Sequence, residues 1–335
     1  MRERSQRIAS IITDMPHKAA VIVCAFTMKR YDQIIKCIKS VTEGSLLPGE
    51  LVLVVDNNTQ LEEALRAKTD KDQVRVISNR GRGVADGRST GISVCRSDVM
   101  VFLDDDAWAE TDWLQELMSG FDDPRVVGAG GFILPDWAVT DPRLPEELWW
   151  AVGATYRGHP TGRVPITRPF GGNMAARREA LIEVGGFPSE FGPKDGKRRS
   201  SNEELALSAA LRRRFGPNSI LFVPGAIVRH HVPPERTTWR YLLSRSWVEG
   251  TSKADARRQF GRVEMGHDSR YVKQTLLPGA LGYLGRALRF RSQTDLREGG
   301  MCLASLGVAA AGYGYRLGLA GTSVSATPDT KVGAL

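Results

Sequence analysis

Short unbroken apolar runs alternate with helically spaced ones over the first third of the chain. "AAVIVCAF" and "ELVLVVDNN" are rich in β-branched residues, and each ends in polar or turn-forming positions. Between them, "YDQIIKCIKSVTEG" repeats its apolar residues at helical spacing and stops at Gly44. "QVRVISN", "GVADGRSTGISVCRS" and "VMVFLDDD" continue the alternation. Strands that are apolar along their whole length predict a parallel sheet with helices on both faces. Such sheets bind ligands at the carboxyl ends of their strands. Asp56 and the run Asp104, Asp105, Asp106 fall at two of these ends.

Further along, "ETDWLQELMSGFDDP" predicts a capped helix and "VVGAGGFI" a strand. Residues 135–170 carry six prolines with Trp137, Trp149 and Trp150, a pattern of irregular aromatic surface suited to a binding face. "FGGNMAARREALIEVGGF" predicts a glycine turn followed by a helix, and the basic loop "GPKDGKRRSS" leads into "NEELALSAALRRRFG". That helix ends in Arg212, Arg213 and Arg214, which complement the negative end of its dipole. "SILFVPGAIVRHHVPPERTTWRYLLSRSWVEGTSKA" predicts a strand, a histidine-containing loop and a helix. Towards the end, "YVKQTLLPGALGYLGRALRFR" is basic and amphipathic, and "MCLASLGVAAAGYGY" is apolar up to Arg316. The second run is shorter than the ~20 residues of a spanning helix. Two readings stand side by side: a buried or homodimerising helix, and a hairpin in peripheral contact with a membrane, Arg286, Arg289 and Arg291 facing lipid phosphates.

Composition narrows the partners. Lys and Arg outnumber Asp and Glu by 46 to 38, and the resulting charge of +8 suits an anionic ligand. Cys24, Cys37, Cys95 and Cys302 are scattered without metal-type pairing, which predicts a reducing compartment. Residues 1–18 lack the sustained apolar core of a secretory signal, so a cytoplasmic location is expected, or one at the inner face of the cell membrane.

Three adjacent aspartates repel one another and call for a cation. A hard divalent ion such as Mn²⁺ or Mg²⁺ takes carboxylate oxygens and keeps positions open for substrate phosphates. Helix capping by Asp106 or Thr111 accounts for one carboxylate, not three. Asp56 can accept the imide N–H of a uracil or thymine ring, or open an Asx turn.

Seven segments carry a resemblance: "VIVCAFTMKRYDQIIKCIKSV", "LVLVVDNNT", "GVADGRSTGI", "VFLDDDAW", "FGGNMAARREAL…VGGF", "NEELALS" and "AIVRHHVPPER". Their order and approximate spacing over residues 19–255 resemble family 2 glycosyltransferases with the GT-A fold. The resemblance implies an α/β fold, a Rossmann-like, mostly parallel sheet flanked by helices with a C-terminal helical extension. On this reading an N-terminal extension spans 1–18, a nucleotide-sugar-binding half 19–125, an acceptor-binding and catalytic half 126–255, a helical region 256–321 and a disordered tail 322–335. The implied reaction is inverting transfer of a sugar from a nucleotide-diphosphate donor, a UDP-sugar, assisted by Mn²⁺ or Mg²⁺.

The family's DXD motif maps onto Asp104 and Asp106, with Asp106 the direct metal ligand and Asp104 nearer the ribose. Nucleoside contacts map onto Ala25 to Thr27, Asp56 and Arg88, while Asp105 either orients its neighbours or contacts the sugar. The family's catalytic acidic pair, usually Glu-Asp, appears as Glu203-Glu204, which makes Glu204 the expected base and Glu203 the alternative. Ser201 with Glu204 also matches a capping box. An arginine common later in the family's helix is absent, Ala209 and Ala210 standing in that vicinity. A histidine after the strand "GAIV" completes the metal shell in similar enzymes, and alternation from Ala226 and Val228 selects His230. Arg236 is a candidate to neutralise the leaving group, and Gly171, Gly172 and Asn173 suggest a turn near the donor.

The expected acceptor is a glycan, a lipid-linked glycan or a small molecule, and no nucleic acid is expected. A nucleotidyltransferase would need a glycine-rich triphosphate loop at the first strand, which the sequence lacks. A nucleic-acid-binding protein would concentrate basic residues that are dispersed here, and no zinc, helix-turn-helix or RNA-binding signature occurs.

Overall fold

The computed structural model describes residues 18–140, 142, 144–188, 203–260 and 266–321. Expectations for residues 1–17, for the loop "GPKDGKRRSS" with Ser201, and for the tail 322–335 lie outside the described residues. The chain divides into two compact units.

The first unit holds the described residues up to 138, with 153–155 and 159–232. Its opening half alternates β1 (Ala19–Ala25), α1 (Tyr31–Thr42), β2 (Glu50–Val55), α2 (Thr59–Lys68), β3 (Arg75–Ser78), α3 (Gly83–Val94) and β4 (Val99–Asp104). The strands β3-β2-β1-β4 pair in parallel, and β1, β2 and β4 are buried almost end to end. Helix α1 buries Ile34, Cys37, Ile38 and Val41, one stripe at helical spacing. Helix α3 comes unusually close to β1, because Gly87 and Gly91 stand one turn apart on the packed face. A Cβ at Gly91 would lie 2.5 Å from Ile22 and one at Gly87 would lie 3.0 Å from the Cys24 sulfur.

The second half of the sheet is mixed, with one parallel ladder among antiparallel ones. After β5 (Ala107–Ala109), α4 (Trp113–Ser119), β6 (Gly128–Trp137) and β7 (Val164–Pro165) comes β8 (Asn173–Arg177), which runs against both β4 and β6. The sequence "NMAARREAL" predicts helix throughout, yet only α5 (Arg178–Glu183) is helical. Alanine is the strongest helix former, but propensity is a small bias, and a slot between two strands overrides it by supplying backbone partners on both sides. After α6 (Glu203–Phe215), β9 (Ile220–Val232) pairs in parallel with β6 and antiparallel with β5 and β7. His230 and His231 therefore lie in a strand, not in the loop expected from the sequence.

The second unit takes residues 139–152, 156–158 and everything described from 233 onward. It contains a 3₁₀ helix (Glu146–Val152), α7 (Trp239–Phe260), α8 (Gly266–Tyr271), a π turn (Val272–Leu276), α9 (Leu277–Phe290) and α10 (Gln293–Gly321). A boundary at residue 255 would fall inside α7. Glu147 is fully buried here, bonded by the Tyr283 hydroxyl at 3.2 Å and paired with Arg157 at 3.3 Å. No helix among the described residues is long and apolar enough to cross a membrane.

Candidate active site

The carboxyl ends of β1, β2 and β4 converge with β8, β9 and the start of α6 on one cluster of charge. Strand β4 delivers Asp104 at its last position, the chain turns through Asp105 and Asp106, and β5 resumes at Ala107. Ala107 pairs with His230 of β9, and the Asp106 carbonyl accepts the His231 N–H at 2.8 Å. That register brings His230 beside Asp106, with Nε2 at 3.2 Å from Oδ1. Alternation along β9 turns Ala226, Val228, His230 and Val232 inward, the side on which His230 was expected. Asp104, Asp106 and His230 offer ligand atoms that all lie within 4.8 Å of one another. The expectation of Asp106 and His230 as metal ligands thus gains Asp104 as a neighbour.

The triple aspartate finds its cations. Arg30, at the start of α1, forks between Asp105 Oδ1 at 2.5 Å and Asp106 Oδ2 at 3.0 Å. Arg88, carried by α3, is itself buried and reaches Glu204 Oε1 at 3.0 Å and Asp104 Oδ1 at 3.6 Å. Its guanidinium lies over Phe187 and Phe102, at 5.1 and 6.0 Å from the ring centroids. Burial alone would weaken the hold of Arg88 on its proton, but Glu204, Asp104 and Glu203 together strengthen it. Arg88, expected to contact the nucleoside, is placed between Glu204 and Asp104. Arg30 was not among the expected residues, although a run of three acids implies a nearby cation and "KRYD" follows the first strand.

Burial drives the acids toward their neutral forms. It raises Asp104 despite Arg88, pushes Asp105 up to about 7 despite Arg30, and with the charge of Glu204 pushes Glu203 up to about 8. Asp105 Oδ2, Glu203 Oε2 and His230 Nδ1 are buried without a hydrogen-bond partner. Five carboxylates (Asp104, Asp105, Asp106, Glu203, Glu204) thus share two guanidiniums. Such an excess of acid, with two carboxylates and an imidazole already gathered, fits a divalent cation.

Several expected donor contacts are placed differently. Asn173 is fully buried, and its amide donates to the carbonyls of Phe132 at 2.8 Å and Ala226 at 2.9 Å. Its oxygen accepts the Trp113 indole N–H at 2.8 Å, so the side chain is fully committed to joining β6, β8, β9 and α4 rather than facing a donor. Asp105, for which a sugar contact or the orienting of its neighbours was expected, is buried with its side chain on Arg30. Asp56 accepts from Asn57 at 2.8 Å, Asn79 at 2.9 Å and the Gly83 N–H at 2.9 Å, tying β2 to the start of α3. A carboxylate has about four acceptor positions, which leaves one for a ligand. Ala25 is buried and its carbonyl accepts the Asp56 N–H at 2.7 Å, while Thr27 caps the following turn through Lys29 N–H at 3.3 Å. Arg236 sits in a short turn, Pro234–Thr237, that belongs to the second unit.

Gly171 and Gly172 are required by close approach. A Cβ on Gly171 would overlap Glu204 Oε1, and one on Gly172 would overlap Asp104 Oδ2. The turn before β8 therefore packs bare backbone against the two carboxylates that Arg88 joins. Cys24 and Cys37 lie under the site; burial pushes the Cys24 thiol up to about 12 and raises Cys37 as well, so neither is a nucleophile at neutral pH.

Comparison with known proteins agrees with this arrangement. The family model described as glycosyl transferase family 2 matches residues 20–185. A glucosyl-dolichyl phosphate glucuronosyltransferase of Haloferax volcanii is 29% identical over 308 residues, covering 90% of this chain and 96% of the relative. Among solved structures, a mannosyltransferase of Pyrobaculum calidifontis in complex with GDP-Man and Mn²⁺ superimposes with a TM-score of 0.56 at 17% identity, covering 93% of each chain. GalNAc-T7 with UDP, GalNAc and Mn²⁺ gives a TM-score of 0.51 at 17% identity over 78% of this chain and 57% of that one. Sequence family, mixed sheet and acidic cluster agree: the chain is a family 2 glycosyltransferase of the GT-A fold.

Proposed function

We propose that the enzyme inverts the anomeric centre as it transfers a sugar from a UDP-sugar to a lipid-linked acceptor. The observation that carries this reading is the single guanidinium of Arg88, shared between Glu204 at 3.0 Å and Asp104 at 3.6 Å. One cation's width separates a carboxylate of the diphosphate end from a carboxylate placed to act as base. A sugar ring lying over this pair would present its anomeric carbon to an acceptor on the Glu204 side. Glu204 takes the proton from the acceptor O–H, and the acceptor oxygen forms a bond to the anomeric carbon. The bond from that carbon to the diphosphate oxygen breaks on the opposite face, and the nucleoside diphosphate leaves with the electron pair. Arg88 holds Oε1 of Glu204, which leaves Oε2 for the acceptor.

Asp104, Asp106 and His230 would hold a divalent ion, and its contribution when bound is to offset the charge of the departing diphosphate. An imidazole in the set favours Mn²⁺ over Mg²⁺. The remaining acceptor position on Asp56 supports uracil as the base, through its imide N–H. The name of the Haloferax volcanii relative supports a lipid-phosphate-linked acceptor.

Two variants test the reading. Glu204→Gln is expected to lose roughly 10²–10⁴-fold in turnover with unchanged donor affinity. Asp106→Ala is expected to lose the gain in UDP-sugar affinity that Mn²⁺ provides, measured by calorimetry. Full turnover in the first variant removes the base assignment, and unchanged Mn²⁺-dependent affinity in the second removes the metal assignment.

A further inference from the structure

The second unit ends in an antiparallel helix pair whose outer side is unlike an ordinary solvated surface. Helix α9 buries Ala280, Tyr283 and Ala287, and Tyr283 reaches the buried Glu147. Gly299 of α10 packs against Leu284 and the Ala280 carbonyl, and Arg286 pairs with Asp295 at 2.9 Å. These contacts set the register: Leu288 lies level with Leu296, and Leu281 with Leu303. At ~100° per residue, these four leucines project on the side of the pair turned away from Glu147. They are 65% (Leu281), 85% (Leu288), 59% (Leu296) and 42% (Leu303) exposed, and Phe290 at the end of α9 is 64% exposed. No charged residue interrupts α10 from Gly299 to Tyr315. A lone exposed leucine is normal; a two-helix face of them marks a docking surface.

Charge identifies the occupant. From Ser269 to Gly321 the chain carries seven cations against two acids, Asp295 and Glu298, and five of the cations, Arg270, Lys273, Arg286, Arg289 and Arg291, precede the first acid, which pairs with Arg286. All five are exposed, several beside the apolar face. A second copy docked on this face would bring like charges together, which costs several kcal/mol across an interface. An anionic bilayer supplies both what the leucines and what the arginines lack: a low-dielectric layer under a plane of negative headgroups. We infer that the α9–α10 face docks this enzyme on an anionic lipid surface, the helices lying in the interface and not crossing it. The inference stands apart from the proposed sugar donor and base, because none of its residues belongs to the carboxylate cluster.

The test is co-sedimentation of the full chain with two vesicles, one of phosphatidylcholine alone and one with phosphatidylserine added at about seven to three. Binding is expected only to the second vesicle, and it weakens as salt is raised. Leu288→Ser with Phe290→Ser abolishes it. Arg289→Gln with Arg291→Gln lowers the partition on the order of thirtyfold, about fivefold for each cation removed. Both double variants keep the wild-type thermal midpoint, which separates loss of docking from loss of fold. Absence of binding to anionic vesicles, or binding by the Leu288→Ser, Phe290→Ser variant at the wild-type level, overturns the inference. So does a lipid-free dimer that this variant dissociates.

Discussion

Replacing Arg88 by methionine keeps an apolar stem against Phe102 and Phe187 and removes the one cation shared by the two halves of the site. The Glu204 contact is 3.0 Å, with Arg88 only 5% and Glu204 18% exposed at their side chains. Breaking a buried pair by deleting one partner costs about 3–5 kcal/mol, and the partial exposure of Glu204 places this case at the lower end. The Asp104 contact is longer, 3.6 Å, and Asp104 is 40% exposed, so solvent screens it to less than about 1 kcal/mol. The sum is about 3 kcal/mol, read from urea unfolding by linear extrapolation. The loss has a pH signature. Without the guanidinium, Asp104, whose hold on its proton burial already raises, keeps that proton more tightly still in the folded state than in the unfolded one. Above the ordinary carboxylate range the folded variant then carries the extra proton, and its stability falls as pH rises. The deficit relative to wild type is therefore larger near about pH 8 than near about pH 5. Arg88→Lys retains the charge without the fork and falls between the two. A cost below about 1 kcal/mol at the higher pH, or an equal cost at both, would refute the view that Arg88 neutralises these carboxylates.

Three further outcomes are expected. Glu203 has a folded value of about 8 against an ordinary 4.5, so the folded chain holds that proton through the window between them and stability falls across it as pH rises. Glu203→Gln removes that slope: its melting temperature exceeds wild type at about pH 8.5 and approaches it near about pH 5, and a constant difference would refute the assignment. Asn173→Ala strands the Trp113 indole and the carbonyls of Phe132 and Ala226 and is expected to cost about 3 kcal/mol in chemical denaturation, whereas a loss below about 1 kcal/mol would show that the amide is dispensable. Gly171→Ala displaces the Glu204 carboxylate, the free end of a flexible side chain, so turnover drops on the order of a hundredfold while the melting temperature hardly moves; equal activity would mean that Glu204 need not occupy its present position.

The parallel half of the sheet was legible because its strands are apolar along their length and its helices carry one buried stripe. Asp56, Asp104 and Asp106 were legible for the same reason: a polar residue that ends such a strand has only the ligand edge to occupy. Strand β8 was not legible. "NMAAR" has neither alternation nor β-branching, and its conformation is decided by β4 and β6, which lie far from it in sequence. The role of Asn173 was hidden likewise, since its three partners come from α4, β6 and β9. Arg88 looked like a ligand contact because its strand-side partners, Phe102 and Phe187, and its acid partner Glu204 are brought to it only by the fold.

The middle aspartate explains why the acids come as three in a row. Asp104 ends β4, and the chain turns through Asp105 and Asp106 before β5 begins at Ala107, which leaves Asp104 and Asp106 beside His230. Asp105, between them, is buried with its side chain on Arg30. An apolar residue there would leave Arg30 with Asp106 alone. As aspartate, it anchors one nitrogen of the guanidinium at 2.5 Å while the other holds Asp106 at 3.0 Å. Arg30 ties Asp105 to Asp106, and the repulsion among the three acids is relieved by two guanidiniums, Arg30 on Asp105 and Asp106 and Arg88 on Asp104.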